Sequence, residues 1–526
     1  MGTQLVTTNY ISFYKCLTFN ILDYNELDLM QDKKVVIIGA GIAGLSAGCY
    51  LQMNGYKTEI YELHKISGGL CTSWEKKGYT FDGCIHWLVG SGPSMILYDM
   101  WTELGAINKE TEIINSKIFT KIEGKNGEYF SVYTDVNDLE TEMLRLSPID
   151  EVIIKEFTDA IRFFVTFQCS RENPPPPEVQ KTFGEKIPAF IKKWSVVTTN
   201  DFANKFSGPN LRQFFLRIFG DFVGNTVSIF MLLATLGYLH AKTAGYPIGG
   251  SKPFAKRIEQ RYLELGGKIR FTARVKEILV ENDKAIGIQL IKGEKIPADI
   301  VISAADGYDT IYNMLKGKYV NEEINNWYNN LTPFPSICQV SFGIADEFKE
   351  VPHSIQFSLE EPIKVDPKTD LKEMGLRIFN FDPTMAPEGK TAVVTFFPAL
   401  DYIYWTNMRE NDHKFYKETK RQLASKIINV LEKRFPNITS KIEVVDVSTP
   451  ATFIRYTNNW KGSYEGWLPN MQIKVDSITE TLPGLSNFYM VGHWTRPGGG
   501  LPPAAMSGKK IAGMICKQDG KEFTSE

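Results

Sequence analysis

The chain has too few metal- and disulfide-forming residues, too widely spread, to be built around either. There are 7 cysteines and 6 histidines in 526 residues. The thiols are Cys16, Cys49, Cys71, Cys84, Cys169, Cys338 and Cys516, an odd number with no Cys-x-x-Cys pair. That argues against a disulfide framework, against a zinc or other metal site, and for a reducing compartment. An excess of one charge is missing too. With 59 basic and 61 acidic residues the formal net charge is -2, which gives no reason to expect nucleic acid as a partner. The amino terminus lacks the basic start and apolar run of a signal peptide, and Val6 stands where a myristoylation motif needs Ser or Thr. Residues 1–32 are therefore read as an N-terminal extension, with Met30 as the start of the functional part. No internal repeat is visible. One long run lacks Asp, Glu, Lys and Arg, from Phe222 to Ala241, but Gly224, Asn225, Thr226, Ser228, Thr235 and Gly237 dilute it. This favours a buried helix beside a cavity over a monotopic membrane contact, and either over a true span.

What is present is a chain long enough for two or three domains, 43% hydrophobic and 12% aromatic. The composition fits a large core and equally an apolar cavity. Val35-Val36-Ile37-Ile38 reads as a buried parallel strand. Ile42 to Asn54 reads as a helix stopped at Gly55, and Lys57 to Tyr61 as a second strand, a βαβ opening. Thr141 to Tyr238 predicts long Phe-rich helices interrupted at Pro174–Pro177. A helix at Pro253–Leu265 follows. Short strands are expected at 268–271, 275–281, 285–290, 300–303, 335–344, 392–397 and 442–447, with helices around Asn325, at 416–434 and at 503–516.

Between the first strand and helix stands Gly39-Ala40-Gly41-Ile42-Ala43-Gly44. In that setting Gly39 permits a tight turn, Gly41 lets the backbone approach a pyrophosphate at the helix N-terminus, and Gly44 lets helix and strand pack closely. Glu62 ends the second strand, where its carboxylate accepts hydrogen bonds from ribose hydroxyls and repels a 2'-phosphate, so NADP is disfavoured. Leu63 follows it. A further glycine pair, Gly68-Gly69, precedes Leu70. At the other end, Phe488 to Gly492 reads as a strand running into glycine, and Pro497-Gly498-Gly499-Gly500-Leu501-Pro502 leads into the last helix. Backbone N–H groups there can stabilise negative charge on a bound cofactor.

These segments, with Gly78 to Gly83, Tyr246 to Gly250, Val275 to Ile278 and Ser303 to Asp306, resemble the phytoene desaturase, carotenoid isomerase and retinol saturase family of FAD enzymes. The resemblance spans 33–516. It implies an α/β fold in which a discontinuous Rossmann-like FAD-binding domain carries an inserted mixed β-sheet and helical substrate domain, the architecture of amine-oxidase-like flavoproteins. The expected segments are 33–140, 245–320 and 481–516 for FAD, 141–244 for a helical cap, 321–480 for the substrate domain and 517–526 for a tail. The FAD contacts it implies are Gly39, Ala40, Gly41, Ala43, Gly44, Glu62, Leu63, Gly69, Leu70, Val275 (by its backbone, to adenine), Gly492, Gly500 and Leu501. Leu70 and Cys71 stand where many desaturases carry Arg, and Asp82 to Trp87 is closer to the retinol saturase branch.

The expected function is FAD-dependent oxidoreduction at carbon–carbon bonds of an apolar polyene or isoprenoid, by hydride transfer at flavin N5. An amine or porphyrinogen oxidase and a non-catalytic prenyl carrier are the alternatives. Amine oxidases usually set a lysine near the flavin, and none is identifiable here. His86 and His493 are the candidate proton donors or head-group ligands, with a structural histidine holding the Asp82 loop as the competing reading. The reducing compartment read from the thiols fits the cytoplasm, and a water-insoluble substrate implies work at a membrane surface.

Overall fold

A computed structural model describes residues 33–125, 127–166, 177–219, 227–468 and 478–526, with the backbone alone for 177–185. The N-terminal extension, Pro174–Pro176 and Phe222–Thr226 lie outside the described residues.

Val35, Val36 and Ile37 have no accessible surface, as a strand covered on both faces requires. Their strand, Lys34–Ile38, lies at the centre of a five-stranded sheet. In order across the sheet run Phe488–Met490, Ile300–Ser303, Lys34–Ile38, Lys57–Tyr61 and Lys268–Arg270, all parallel. Three distant stretches of chain thus build one nucleotide-binding layer. The crossover helix Ile42–Met53 is buried nearly all round because helices pack on it from two further sides. A Cβ on Gly48 would come 2.6 Å from the Tyr262 ring of helix Ser251–Glu264. One on Gly508, in the last helix Leu501–Gln518, would come 2.6 Å from the Ala47 nitrogen. The chain after that helix folds back, with Asn54 and Thr524 exchanging hydrogen bonds at 2.8 and 2.9 Å.

The second layer is a seven-stranded mixed sheet in the order Ile442–Ser448, Ile337–Ile344, Thr391–Pro398, Thr369–Ile378, Ser354–Asp366, Ile118–Glu123, Tyr129–Tyr133. One face packs on helix His413–Arg434 through Leu423, Ile427 and Leu431. The other face looks into a cavity. Two strands correct the expected segment boundaries. Ile118–Glu123 and Tyr129–Tyr133 fall in the stretch assigned to FAD binding (33–140), yet Lys121 to Glu123 pair in parallel with Ile355 to Phe357 of the large sheet. The pairing satisfies the backbone groups of a sheet edge that would otherwise be open.

Helices Glu151–Val165, Pro209–Leu216 and Ile229–His240 form the cap, held by Phe157, Phe202, Phe206 and Phe215 in edge-on and tilted contacts. The described part of the uncharged run is the helix Ile229–His240, which buries Leu232, Leu233 and Leu236. Among the described residues no helix is long and apolar enough to cross a membrane.

Candidate functional site

The glycines of the first loop have three different jobs. Gly39 turns at φ +98°, and a Cβ on it would sit 3.1 Å from the Ala304 carbonyl oxygen. A Cβ on Gly44 would fall 2.1 Å from the Gly39 oxygen, so helix and strand meet only if it is glycine. Gly41 is neither strained nor crowded. Its φ of -70° and ψ of 175° suit any residue, and a Cβ there would meet nothing within 4 Å. The fold does not ask for glycine at this position; a ligand approaching the backbone does. The glycine pair lies alongside, with Gly68 N–H donating to the Ala40 oxygen at 2.8 Å and a Gly69 Cβ position 3.3 Å from Gly41 Cα.

Glu62, 7% exposed, accepts from Ala40 N–H at 2.6 Å and from His64 N–H at 2.7 Å. Burial raises its pKa, and these two backbone donors oppose the rise. Each oxygen retains a lone pair for a ribose hydroxyl. The carboxylate therefore braces the glycine loop and still faces the cleft. This arrangement fits the pyrophosphate and ribose of FAD.

The cleft belongs to a cavity of about 820 Å³, in the upper range for small-molecule sites. Gly39, Gly41, Ala43, Glu62 and Leu63 line its nucleotide end, joined by Gly69, Leu70 and Val275. Ala40 and Gly44, expected as contacts, stand behind the lining. Ala40 has no accessible surface and spends its N–H on Glu62, while Gly44 is consumed by helix packing. On the far wall come Gly492 at φ +105° and Gly498, Gly499 and Gly500 at +100°, +58° and +91°. Leu501 opens the last helix, followed by Pro502 and Pro503. The prolines carry no N–H, so the expected cluster of helix N-terminal donors reduces to the Leu501 N–H.

Both candidate histidines line the same cavity. Burial, with the Arg377 charge nearby, pushes His86 down to about 3, and burial alone pushes His493 down to about 4. Both rings are neutral at neutral pH, which removes an imidazolium acid at either position. The His86 ring packs edge-on against Phe396 at 5.2 Å, and its Nε2 is buried with no hydrogen-bond partner among the described residues.

A carboxyl shifted toward a protonated state in the same cavity is Glu465, which sequence reasoning missed. Its side chain lines the cavity against the glycine loop, where a Gly499 Cβ would sit 2.5 Å from Oε2. Burial raises its pKa to about 8. Asp306 is raised to about 7 by burial, but it is tied down, accepting from Asp309 N–H at 2.8 Å and Trp460 N–H at 2.7 Å. Glu465 sits in Tyr464-Glu465-Gly466-Trp467, a carboxylate between aromatics that was a usable signal. Arg377, also missed, lies on strand Thr369–Ile378 and lines the cavity.

Residues 42–516 match the family model of flavin containing amine oxidoreductases. Prolycopene isomerase of Daucus carota is 27% identical over 516 residues, covering 94% of this chain and 82% of that protein. A neurosporene-forming phytoene desaturase of Rhodobacter capsulatus is 26% identical, covering 92% and 94%. Among solved structures, cyclohexylamine oxidase from Brevibacterium oxydans superposes with a TM-score of 0.57 over 93% of this chain and 100% of its own, at 13% identity, a likeness of fold alone. The glycine loop, the braced Glu62 and a family match over nearly the whole chain agree: the protein is an FAD-dependent oxidoreductase belonging to the flavin containing amine oxidoreductase family.

Proposed function

We propose that the enzyme acts on carbon–carbon bonds of an apolar polyene or isoprenoid lipid. One observation carries the reading. The nucleotide cleft opens without a break into a chamber walled by Trp87, Phe119, Met231, Tyr238, Val394 and Phe396. Such a chamber suits a long apolar chain laid against the flavin. The names of the two relatives, a prolycopene isomerase and a phytoene desaturase, bring a carotenoid-like substrate into the reading.

FAD, when bound, supplies hydride chemistry at its N5. Gly41, Gly69 and Val275 would hold its dinucleotide part, and Gly492 and Leu501 its ring end. Glu465 holds the proton. As a neutral carboxyl beside Gly499 it gives a proton to carbon when hydrogen is added to C=C, and as a carboxylate it takes one in the reverse direction. The neutral His86 ring and the aromatic walls exclude water and orient the chain of the substrate. The cavity lining carries no lysine among the described residues, which weighs against the amine-oxidase alternative.

A substrate of this class comes from a bilayer, so we place the enzyme at a membrane surface. Ile149 and Val152, 80% and 79% exposed on the cap, are apolar side chains available for that contact. The test of the function is anaerobic incubation of the flavin-loaded protein with carotenoid and retinoid polyenes, followed by chromatography of the products. New polyene products formed only with flavin present support it. Flavin reduction by simple amines with polyenes left untouched contradicts it.

A further inference from the structure

The large sheet presents an apolar chamber with a polar floor, and a cation lies in it. Side chains alternate along strand Thr369–Ile378: Met374, Leu376 and Ile378 point into the core behind the sheet, and Glu373, Gly375 and Arg377 face the cavity. On the neighbouring strand Ser354 stands directly opposite Arg377, and Gln356 opposite Gly375, both on the cavity side. Thr120 joins them, accepting from Ser354 Oγ at 3.0 Å. A pure hydrocarbon pocket has no use for such a row.

The charges in that floor do not cancel at Arg377. Glu373 is committed to Arg217, whose Nε donates to it at 2.7 Å. The Arg377 guanidinium lies 5.5 to 5.6 Å from the ring centres of Tyr246, Phe379 and Phe381. Its Nη2 donates to the His86 carbonyl oxygen at 2.7 Å. Nε is buried without a partner, and Nη1 makes no hydrogen bond to any described residue. Two carboxylates of the neighbouring loops are held by neutral donors rather than by Arg377. Asp82 accepts from Cys84 N–H, Ile85 N–H and both donors of Ser251. Asp382 accepts from the Tyr246 hydroxyl, Gly249 N–H and both donors of Thr384. No ion pair reaches Arg377 among the described residues. The Asp82 charge is felt by Arg377 through space, but it leaves the buried Nε and the Nη1 of the fork without an acceptor, and the rigid fork of Arg is suited to a carboxylate.

We propose that Arg377 is a specificity-determining residue that binds an anionic oxygen, a carboxylate, at one end of the substrate. The inference rests on the polyene reading of the cavity and narrows it to isoprenoid or polyene acids. Ser354, Gln356 and Thr120 supply neutral hydrogen bonds around the same end, and the aromatic box fixes the plane of the guanidinium.

The experiment uses flavin-loaded protein and cis-parinaric acid, a conjugated polyene acid that fluoresces in apolar surroundings, beside its methyl ester. The acid binds more tightly than the ester, by about tenfold or more, as a charged hydrogen bond predicts. Arg377→Met removes that preference and leaves ester binding within about twofold, while Arg377→Lys retains part of the preference. Equal binding of acid and ester by the wild type overturns the inference. So does an Arg377→Met protein in which both ligands weaken alike, or one that keeps the preference and loses its flavin. A wild type that turns over polyenes yet shows no acid preference refutes this inference alone and leaves the proposed function standing; one that binds neither probe and turns over no polyene refutes the function itself.

Discussion

Replacing Gly41 and Gly44 separately by alanine separates a cofactor requirement from a folding requirement. At Gly44 the new methyl falls 2.1 Å from a backbone oxygen of the loop it must pack on. Relief needs a shift of helix against strand, and overpacking of this kind costs ~1–3 kcal/mol. At Gly41 the methyl meets nothing within 4 Å, in a backbone conformation that alanine adopts freely. Less freedom in the unfolded chain then makes the flavin-free protein more stable, by ~0.4–1 kcal/mol. The bound state reverses the ranking, because that methyl occupies space the pyrophosphate must enter. A similar ~1–3 kcal/mol of crowding weakens FAD binding by roughly 5- to 150-fold, and Gly41→Val abolishes it. The assay is urea unfolding of deflavinated protein followed by circular dichroism, beside FAD titration by fluorescence quenching. The reasoning fails if Gly41→Ala lowers the stability of flavin-free protein as much as Gly44→Ala does, or if it binds FAD like the wild type.

Glu465→Gln retains FAD and slows turnover by ~10²–10⁴, the usual worth of a general acid. Because burial lifts this carboxyl to about 8, its proton is present below that pH and lost above it, so hydrogen addition declines as pH rises through about 8. The same shift gives a stability signature: the folded state keeps a proton that the unfolded chain releases near ~4.3, so stability falls as pH rises between there and about 8, and Glu465→Gln removes that slope. His86→Phe, by contrast, costs far less than ~10² in rate, since it removes a neutral ring with a buried, unpartnered Nε2; a drop as large as that of Glu465→Gln returns the acid role to His86. In liposome flotation the protein rises with the vesicles, and Ile149→Asp with Val152→Asp reduces the floating fraction; a wild type that stays at the bottom with every lipid contradicts membrane contact through the cap.

The nucleotide half was legible because local chemistry dictates it. Val35 to Ile38 are apolar without alternation, and Gly39 to Gly44 must be glycines at two positions for the loop to close at all. The substrate half was less so. Strands Ser354–Asp366 and Thr369–Ile378, the floor of the cavity, were not foreseen, although Ile355, Phe357 and Leu359 alternate with polar residues. Glu360, Glu361 and Pro362 interrupt that pattern, and a cavity-facing polar residue reads from sequence like one facing water. The charge states of the candidate proton donors were not legible for a related reason. His86 and His493 carry the residue type expected of a proton donor, but burial decides protonation, and it empties the histidines while filling Glu465. Such reversals depend on which side chains the fold takes out of water.

We propose an FAD enzyme that exchanges hydrogen with a polyene. It is tested most directly by mixing reduced, flavin-loaded protein with a carotenoid or retinoid polyene under anaerobic conditions and recording the visible spectrum through time. The oxidised flavin bands are expected to return in step with a shift of the polyene absorption, at equal molar amounts. A polyene spectrum that stays constant while an amine reduces the oxidised flavin would contradict it.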